Sequence, residues 1–213
     1  MAKINLKTKR LFVSPLTDSE LTEKIHFADN ADLSAVYRAM GENANADPEH
    51  RLWYLPWKIT LRSTGECVGV IGFFGPVDCH SVEIYQFTEE KFREGDYASE
   101  ALRTFVDWAF SDDDVYSITA DADKEDHEWI DALEIVGFCE KDGCYKIERP
   151  QTNFTSLYMC LGMCMGVSLG SAMDKLSIGL AVGLCLGLAL GTAADAQEKK
   201  KREAIHKEWD ASK

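Results

Sequence analysis

Cysteine, histidine and clustered carboxylates are the residues here whose chemistry depends most on spacing. No Cys-x-x-Cys pair occurs, and Cys79 and His80 are adjacent, so with Cys67, Cys139 and Cys144 they lack the ligand spacing of a zinc site and read as ordinary thiols with no metal. Asp112-Asp113-Asp114 reads as a solvated acidic loop that repels anions. Arg93-Glu94-Gly95-Asp96-Tyr97-Ala98 lies at the head of an apolar-periodic segment. The free N–H groups and dipole of a helix start attract anions without help from Lys or Arg. Asp96 is itself a preferred N-cap, so this helix start reads either as open to an anion or, alternatively, as filled from within by the Asp96 carboxylate bonding the N–H of Ala98 or Ser99.

Composition narrows the classes. The chain has 213 residues, 46% hydrophobic and 28% charged, as in folded proteins. Its 36 acidic against 23 basic residues give a net charge of -13, the wrong sign for neutralising a phosphate backbone, and nucleic acid is not an expected partner. Lys3, Lys7 and Arg10 are followed by no apolar run, which predicts no signal peptide, no disulfide framework and a reducing cytosolic compartment. Only 6 of the acidic residues follow Asn153, where they meet 7 basic ones, so the acidity belongs to the first part. We expect a domain at 1–153, a helical hairpin at 154–195 and a charged, basic-started tail at 196–213.

In the first part, KRLFVS (9–14) reads as a strand and 17–28 as a helix capped by Thr17 or Asp18. A second helix around 32–41 carries Leu33, Val36, Tyr37 and Met40 at spacings of 3 and 4, followed by a polar loop from Glu42 to His50. WKITLR alternates, STGE turns, and CVGVIGFF is apolar on both faces, which makes a hairpin with a buried second strand. SVEIYQF (81–87) is a further strand. Ala98, Ala101, Leu102, Phe105, Val106 and Ala109 then recur at helical intervals. A strand at 116–122, a helix through Trp129 to Val136 stopped by Gly137, and a closing hairpin complete a mixed α/β order.

The segments TKRLFVSPLTDSEL, CVGVIGFFG, SVEIYQFTEEKF, YASEALRTFVDWAF and ITADADKEDHEWIDALEIVGF, in that order, resemble the GNAT acetyltransferase superfamily, nearest its ribosomal-protein alanine acetyltransferase branch. The resemblance spans about residues 5 to 149. It implies an α+β fold with a splayed mixed sheet flanked by helices. It also implies acetyl-CoA as cosubstrate, its pyrophosphate held by Arg93, Glu94, Gly95, Asp96, Tyr97, Ala98 and Ser99, with Asp126 facing the same cofactor. Asp96 stands where the family has glycine, and Asp126 and Trp129 stand where it usually has Asn and Ser. By the same resemblance Glu83 is the candidate base, and the backbone N–H groups of Tyr85, Gln86 and Phe87 contact the thioester carbonyl. The general-acid tyrosine of many relatives falls at Leu133, leaving Tyr97 or Tyr85 as substitutes. The 42–50 segment falls where the family places its substrate lid, and its acidity favours a cationic amine.

From Phe154 to Met173 there are 20 uncharged residues and from Leu176 to Ala194 there are 19, each about 30 Å as a helix. Shifting by 21 superposes Gly162, Gly166 and Gly170 on Gly183, Gly187 and Gly191, and with Gly179 they recur every fourth residue. The pattern resembles the glycine-zipper class. Each glycine costs a helix about 1 kcal/mol in water, so lipid or tight packing must compensate. We expect a transmembrane hairpin whose stripes pair helices or join copies into a homo-oligomer, with Cys160, Cys164 and Cys185 as small packing residues. Lys199, Lys200, Lys201 and Arg202 follow it, which predicts both flanks on the cytoplasmic face of the plasma membrane; the alternative is a soluble, cytoplasmic hairpin. The leading expectation is a membrane-tethered acetyltransferase acting on a primary amine of a protein or small molecule. Its alternatives are a catalytically weakened GNAT-fold binding or scaffold module and a glycine-zipper oligomer-forming protein.

Overall fold

The computed structural model describes residues 4–26, 31–141 and 143–212, which fall into two compact units divided between Arg149 and Pro150. The division lies just ahead of Asn153, whose side chain caps the first helix of the second unit by accepting the N–H of Ser156.

The first unit is an eight-stranded sheet in order β1-β2-β3-β4-β5-β6-β8-β7. Its strands are β1 Leu6–Lys7, β2 Leu11–Pro15, β3 Trp57–Leu61, β4 Cys67–Phe73, β5 Ser81–Thr88, β6 Ser117–Ala120, β7 Cys139–Lys141 and β8 Cys144–Glu148. All neighbours run antiparallel except β5 and β6, which are parallel. The helices are α1 Asp18–His26, α2 Ala31–Ala46, α3 Arg51–Tyr54, α4 Tyr97–Ala109 and α5 His127–Val136. Thr17 and Glu20 exchange bonds at the start of α1, a capping box that fixes where it begins. The expected helix end at 27–28 lies outside the described residues. The expected loop from Glu42 is corrected: α2 runs on to Ala46, because Ala44 is buried between helices and holds that turn in register. Only the residues after Ala46 remain irregular before α3.

The periodic face of α4 seats Ala101, Leu102, Phe105 and Ala109 on the sheet, where Phe105 stacks on Phe73 at 4.7 Å and meets Trp57 edge-on at 5.2 Å. A smaller cluster of Leu16, Leu21, Ala44 and Leu55 lies under α1 and α2.

The second unit is two helices, α6 Phe154–Ala172 and α7 Leu176–Ser212. The turn between them has Asp174 in the left-handed region (φ 52°) and closes with the Lys175 N–H on the Gly170 carbonyl, 2.9 Å. A Cβ on Gly162, Gly166, Gly179 or Gly183 would collide with backbone of the facing helix. The stripes therefore face each other within one chain, the helix-pairing arrangement of the two that were expected. Cys160, Cys164 and Cys185 are exposed, not packed between helices, because the glycines take every position of close approach. At the open end Asp195 accepts the N–H groups of Phe154 (2.8 Å) and Thr155 (3.1 Å), satisfying α6 from across the hairpin. No break marks the expected boundary at residue 196, since the Ala, Glu, Lys and Arg that follow are strong helix formers.

Candidate active site

The site begins where strand pairing stops. β5 pairs with β4 as far as Thr88 but with β6 only to Ile84, opposite Ala120. Past that point the backbone of β5 facing β6 has no strand partner, and the sheet splays. The bonds from Phe74 N–H to the Glu83 carbonyl (3.0 Å) and from Glu89 N–H to the Val68 carbonyl (2.8 Å) fix the phase of the ladder. Odd-numbered residues of β5 turn their N–H groups to β4, and even-numbered ones turn theirs to β6. Of the three expected thioester contacts, the N–H of Gln86 alone is thus aimed into the splay. Those of Tyr85 and Phe87 are spent on β4, a correction that alternation of the ladder requires.

A narrow crevice of about 40 Å³ opens at the splay, lined by Gln86, Phe87 and Thr88 on one side and Ala98, Glu128 and Trp129 on the other. It adjoins a wider cavity of about 510 Å³ whose walls include Arg93, Asp96, Ala98, Ser99, Asp126 and Asp131. Gln86 reaches across to donate to the Ala98 carbonyl, 3.2 Å, tying β5 to the head of α4.

At that head a 3-10 turn over Glu90–Gly95 gives way to α4 through Asp96, which has φ 52°. Left-handed backbone favours glycine, and aspartate is one of the few other residues that tolerates it. The Asp96 side chain makes no capping bond, so the self-capped alternative is overturned. A left-handed Ncap does not carry its carboxylate over the first turn as an extended one does. The N–H groups of Tyr97, Ala98 and Ser99 consequently have no partner inside the helix and no side-chain cap, and of these residues Ala98 and Ser99 line the cavity.

The walls are more acidic than an anion site needs. Arg93 pairs with Glu128 across the cavity, Nε to Oε2 3.3 Å, while the other Glu128 oxygen is buried without a partner. Burial lifts the Glu128 carboxyl above the usual carboxylate range, Arg93 opposes the rise and Asp126 adds to it. Asp126 is engaged in structure: it caps α5 by accepting the Trp129 N–H at 3.2 Å. The Trp129 indole donates to the Asp121 carbonyl at 3.0 Å, and its ring is buried. The glycine at 95 is required sterically, since a Cβ there would enter the Tyr97 ring. For Glu94 the backbone turn alone is described.

The remaining candidates lie elsewhere. Tyr97 packs under the Arg10 guanidinium (4.5 Å) and edge-on to Phe92, and it lines neither cavity. Its position at the first turn of α4 turns it away from β5, so it is removed as a catalytic candidate. Tyr85 faces α2, its hydroxyl 3.6 Å from the Met40 sulfur, and burial followed by the nearby Tyr37 pushes its ionisation up, keeping it protonated. Glu83 lies on the same face as Tyr85, exposed, opposite Phe74 across the β4–β5 ladder. It too lines neither cavity. Sequence reasoning missed Arg10, which holds the loop from outside, and Glu128; both lie in segments that carry the family resemblance, but no spacing there singles them out.

These features belong to a recognisable class, an α+β acetyltransferase whose main helix starts beside a splayed strand. The chain is a member of the GNAT family: the acetyltransferase (GNAT) domain matches residues 8–139. The glycine zipper membrane protein family matches residues 148–197. Among curated proteins no sequence match is found. Solved structures share the fold. The ribosomal-protein-S5-alanine acetyltransferase from Vibrio fischeri aligns over 69% of this chain and 100% of its own, TM-score 0.55 at 9% identity. Mycobacterium smegmatis RimJ in complex with CoA-disulfide aligns over 67% and 85%, TM-score 0.52 at 19% identity. A GNAT acetyltransferase from Bacillus anthracis aligns over 68% and 98%, TM-score 0.50 at 18% identity.

Proposed function

We propose that this protein is a membrane-tethered N-acetyltransferase that moves an acetyl group from acetyl-CoA to a primary amine at the cytoplasmic face of the plasma membrane. The observation that carries the reading is the uncapped start of α4 beside a cavity that continues into the splay of β5. The N–H groups of Ala98 and Ser99 fit a pyrophosphate there, and the Gln86 N–H fits a carbonyl oxygen that gains negative charge. Acetyl-CoA, when bound, supplies the activated acyl group. Glu83 accepts a proton from the acceptor ammonium through water, since its carboxylate stands on the α2 side of β5 and not in the crevice. The acceptor is cationic, in keeping with the acidity of the first unit.

The tether is the second unit. Its two helices are long and apolar enough to cross a membrane. Their leucines face outward, Leu157 and Leu169 each 61% exposed, while the glycines face inward. Lipid tails are the surroundings that such a surface fits, and Lys199 to Arg202 after it support a topology with both flanks inside. The acidic cavity walls favour a second reading, a GNAT-fold binding module whose catalysis is weak.

Titration of the full chain in detergent with acetyl-CoA separates the two. Binding with turnover that Glu83→Gln abolishes supports the enzyme, and no binding supports the module. Asp96→Gly should strengthen binding by about tenfold, because it removes a carboxylate from the cavity and relieves the left-handed backbone. Full-length protein that high salt strips from membranes would sink the tether.

A further inference from the structure

The left-handed Asp96 makes no bond with its own side chain, so the shape of the loop must be held by something else. The Arg10 guanidinium supplies that hold. Nη1 donates to the Gly95 carbonyl at 2.9 Å, Nη2 to the Asp96 carbonyl at 3.3 Å, and Nε to Glu100 Oε2 at 2.6 Å. The Arg10 backbone N–H donates to the other Glu100 oxygen at 2.9 Å. The Tyr97 ring lies beneath the guanidinium, its centroid 4.5 Å from Cζ, in space left open by the missing side chain of Gly95. Thr8 tightens the approach to β2 by accepting the Leu11 N–H at 2.7 Å, which presents Arg10 to the loop.

The arrangement has a direction. In a trans peptide the carbonyl and the following N–H point opposite ways. Drawing the carbonyls of Gly95 and Asp96 toward Arg10 therefore turns the N–H groups of Asp96 and Tyr97 away from it. Glu100, one turn into α4, anchors the guanidinium to the helix that the loop precedes. Burial alone would raise the Glu100 carboxyl, but bonds from Thr8 and from Arg10 outweigh it and hold it below the usual range.

We propose that Arg10 is a positioning residue for the anion loop: through two carbonyls, one carboxylate and one ring it holds Gly95 and Asp96 in the form that presents the α4 N–H groups to the cavity. Its effect on acetyl-CoA rests on the function proposed above; its effect on the loop does not. A lysine at position 10 keeps the charge and can pair with Glu100, but it cannot hold both carbonyls and the carboxylate in one plane.

The test compares native full chain in detergent with Arg10→Lys and with Arg10→Lys/Asp96→Gly, by hydrogen exchange of the unliganded loop, acetyl-CoA titration and thermal melting. Arg10→Lys should speed exchange across 95–98 by about tenfold and weaken acetyl-CoA binding by about tenfold, with melting within about 2 °C of native. Adding Asp96→Gly should recover most of the affinity, because glycine adopts the left-handed form unaided. Loop exchange and affinity equal to native in Arg10→Lys would overturn the proposal. So would a rise in exchange spread over the whole first unit with a falling melting temperature, which marks a merely structural residue. If the native chain binds no acetyl-CoA, the proposed function fails, while the exchange arm still decides the role of Arg10.

Discussion

The two units solve the packing problem in opposite senses. In the first, bulk lies inside: Trp57, Phe73 and Phe105 are fully buried, and the exposed positions are mostly polar or charged. In the second, the smallest residue lies inside and the largest lie outside: Gly166 and Gly170 are buried, Leu157 and Leu186 exposed. Water rewards the first arrangement through area removed from solvent. It penalises the second, where nothing is gained between helices except close contact of backbones. Lipid removes that penalty, since tails are as apolar as leucine and helix contact then depends on fit.

The largest effect should come from filling the inside of the second unit. Gly166→Leu with Gly183→Leu puts side chains where backbone now stands and should separate α6 from α7, although hydrophobicity rises. Crosslinking between single cysteines introduced on the two helices, in a chain otherwise free of cysteine, should fall to background while membrane insertion persists. Unchanged crosslinking would show that the stripe is not the contact.

Emptying the inside of the first unit is the matching experiment. Phe105→Ala removes a ring packed on Phe73 and Trp57 and should cost about 3–5 kcal/mol of that unit's stability, read by denaturant unfolding. The hairpin's helicity should be unaffected. Joint loss of both units would mean that the division at Arg149 is not a division in stability.

What could be read from residue order follows the same contrast. Both packing patterns are periodic, so the apolar face of α4 and the four-residue glycine spacing were legible, as were the strands on either side of the STGE turn. The site was legible only as a place. Its backbone form depends on Arg10 meeting Glu100 ninety residues later in the chain, and neither lies in a recognisable spacing. The face of β5 that carries Glu83 is set by register with β4, which alternation in SVEIYQF leaves open. The self-capped alternative for Asp96 fails because N-cap preference assumes an extended residue, whereas the turn before α4 delivers it left-handed.

Acid should separate the units as well. Burial would raise the Glu20 carboxyl, but bonds from Lys58 and Thr17 bring it from 4.5 down to about 2. A depressed carboxyl contributes stability that is present above its unfolded value and lost as pH falls through the folded one. The first unit should therefore weaken between about pH 4.5 and 2, with Glu20→Gln weaker at neutral pH and flatter in acid. The apolar runs of the hairpin carry no ion pair of this kind among the described residues and should keep their helicity, while acid should loosen only the open end, where Asp195 holds the N–H groups of Phe154 and Thr155. Hydrogen exchange read peptide by peptide follows the two units separately.

The smallest effect concerns the cavity and has the opposite sign. Burial, with Asp126 beside it, raises the Glu128 carboxyl, while Arg93 opposes the rise. A raised carboxyl binds its proton more tightly in the folded protein, so its contribution to stability is present below the ordinary glutamate value and is lost as pH rises through the folded one. The same proton removes a negative charge from the cavity wall and releases Arg93 toward an anion. Acetyl-CoA affinity should thus increase as pH falls into the mildly acidic range. The gain should be only a few-fold, because Arg93 is half exposed and solvent screens the pair. Glu128→Gln should bind more tightly than native at neutral pH and lose this part of the pH dependence. Any titration of acetyl-CoA itself is common to both proteins and cancels in the comparison. Parallel slopes for native and variant would exclude Glu128 as the group responsible and leave the acidic walls without influence on the anion loop.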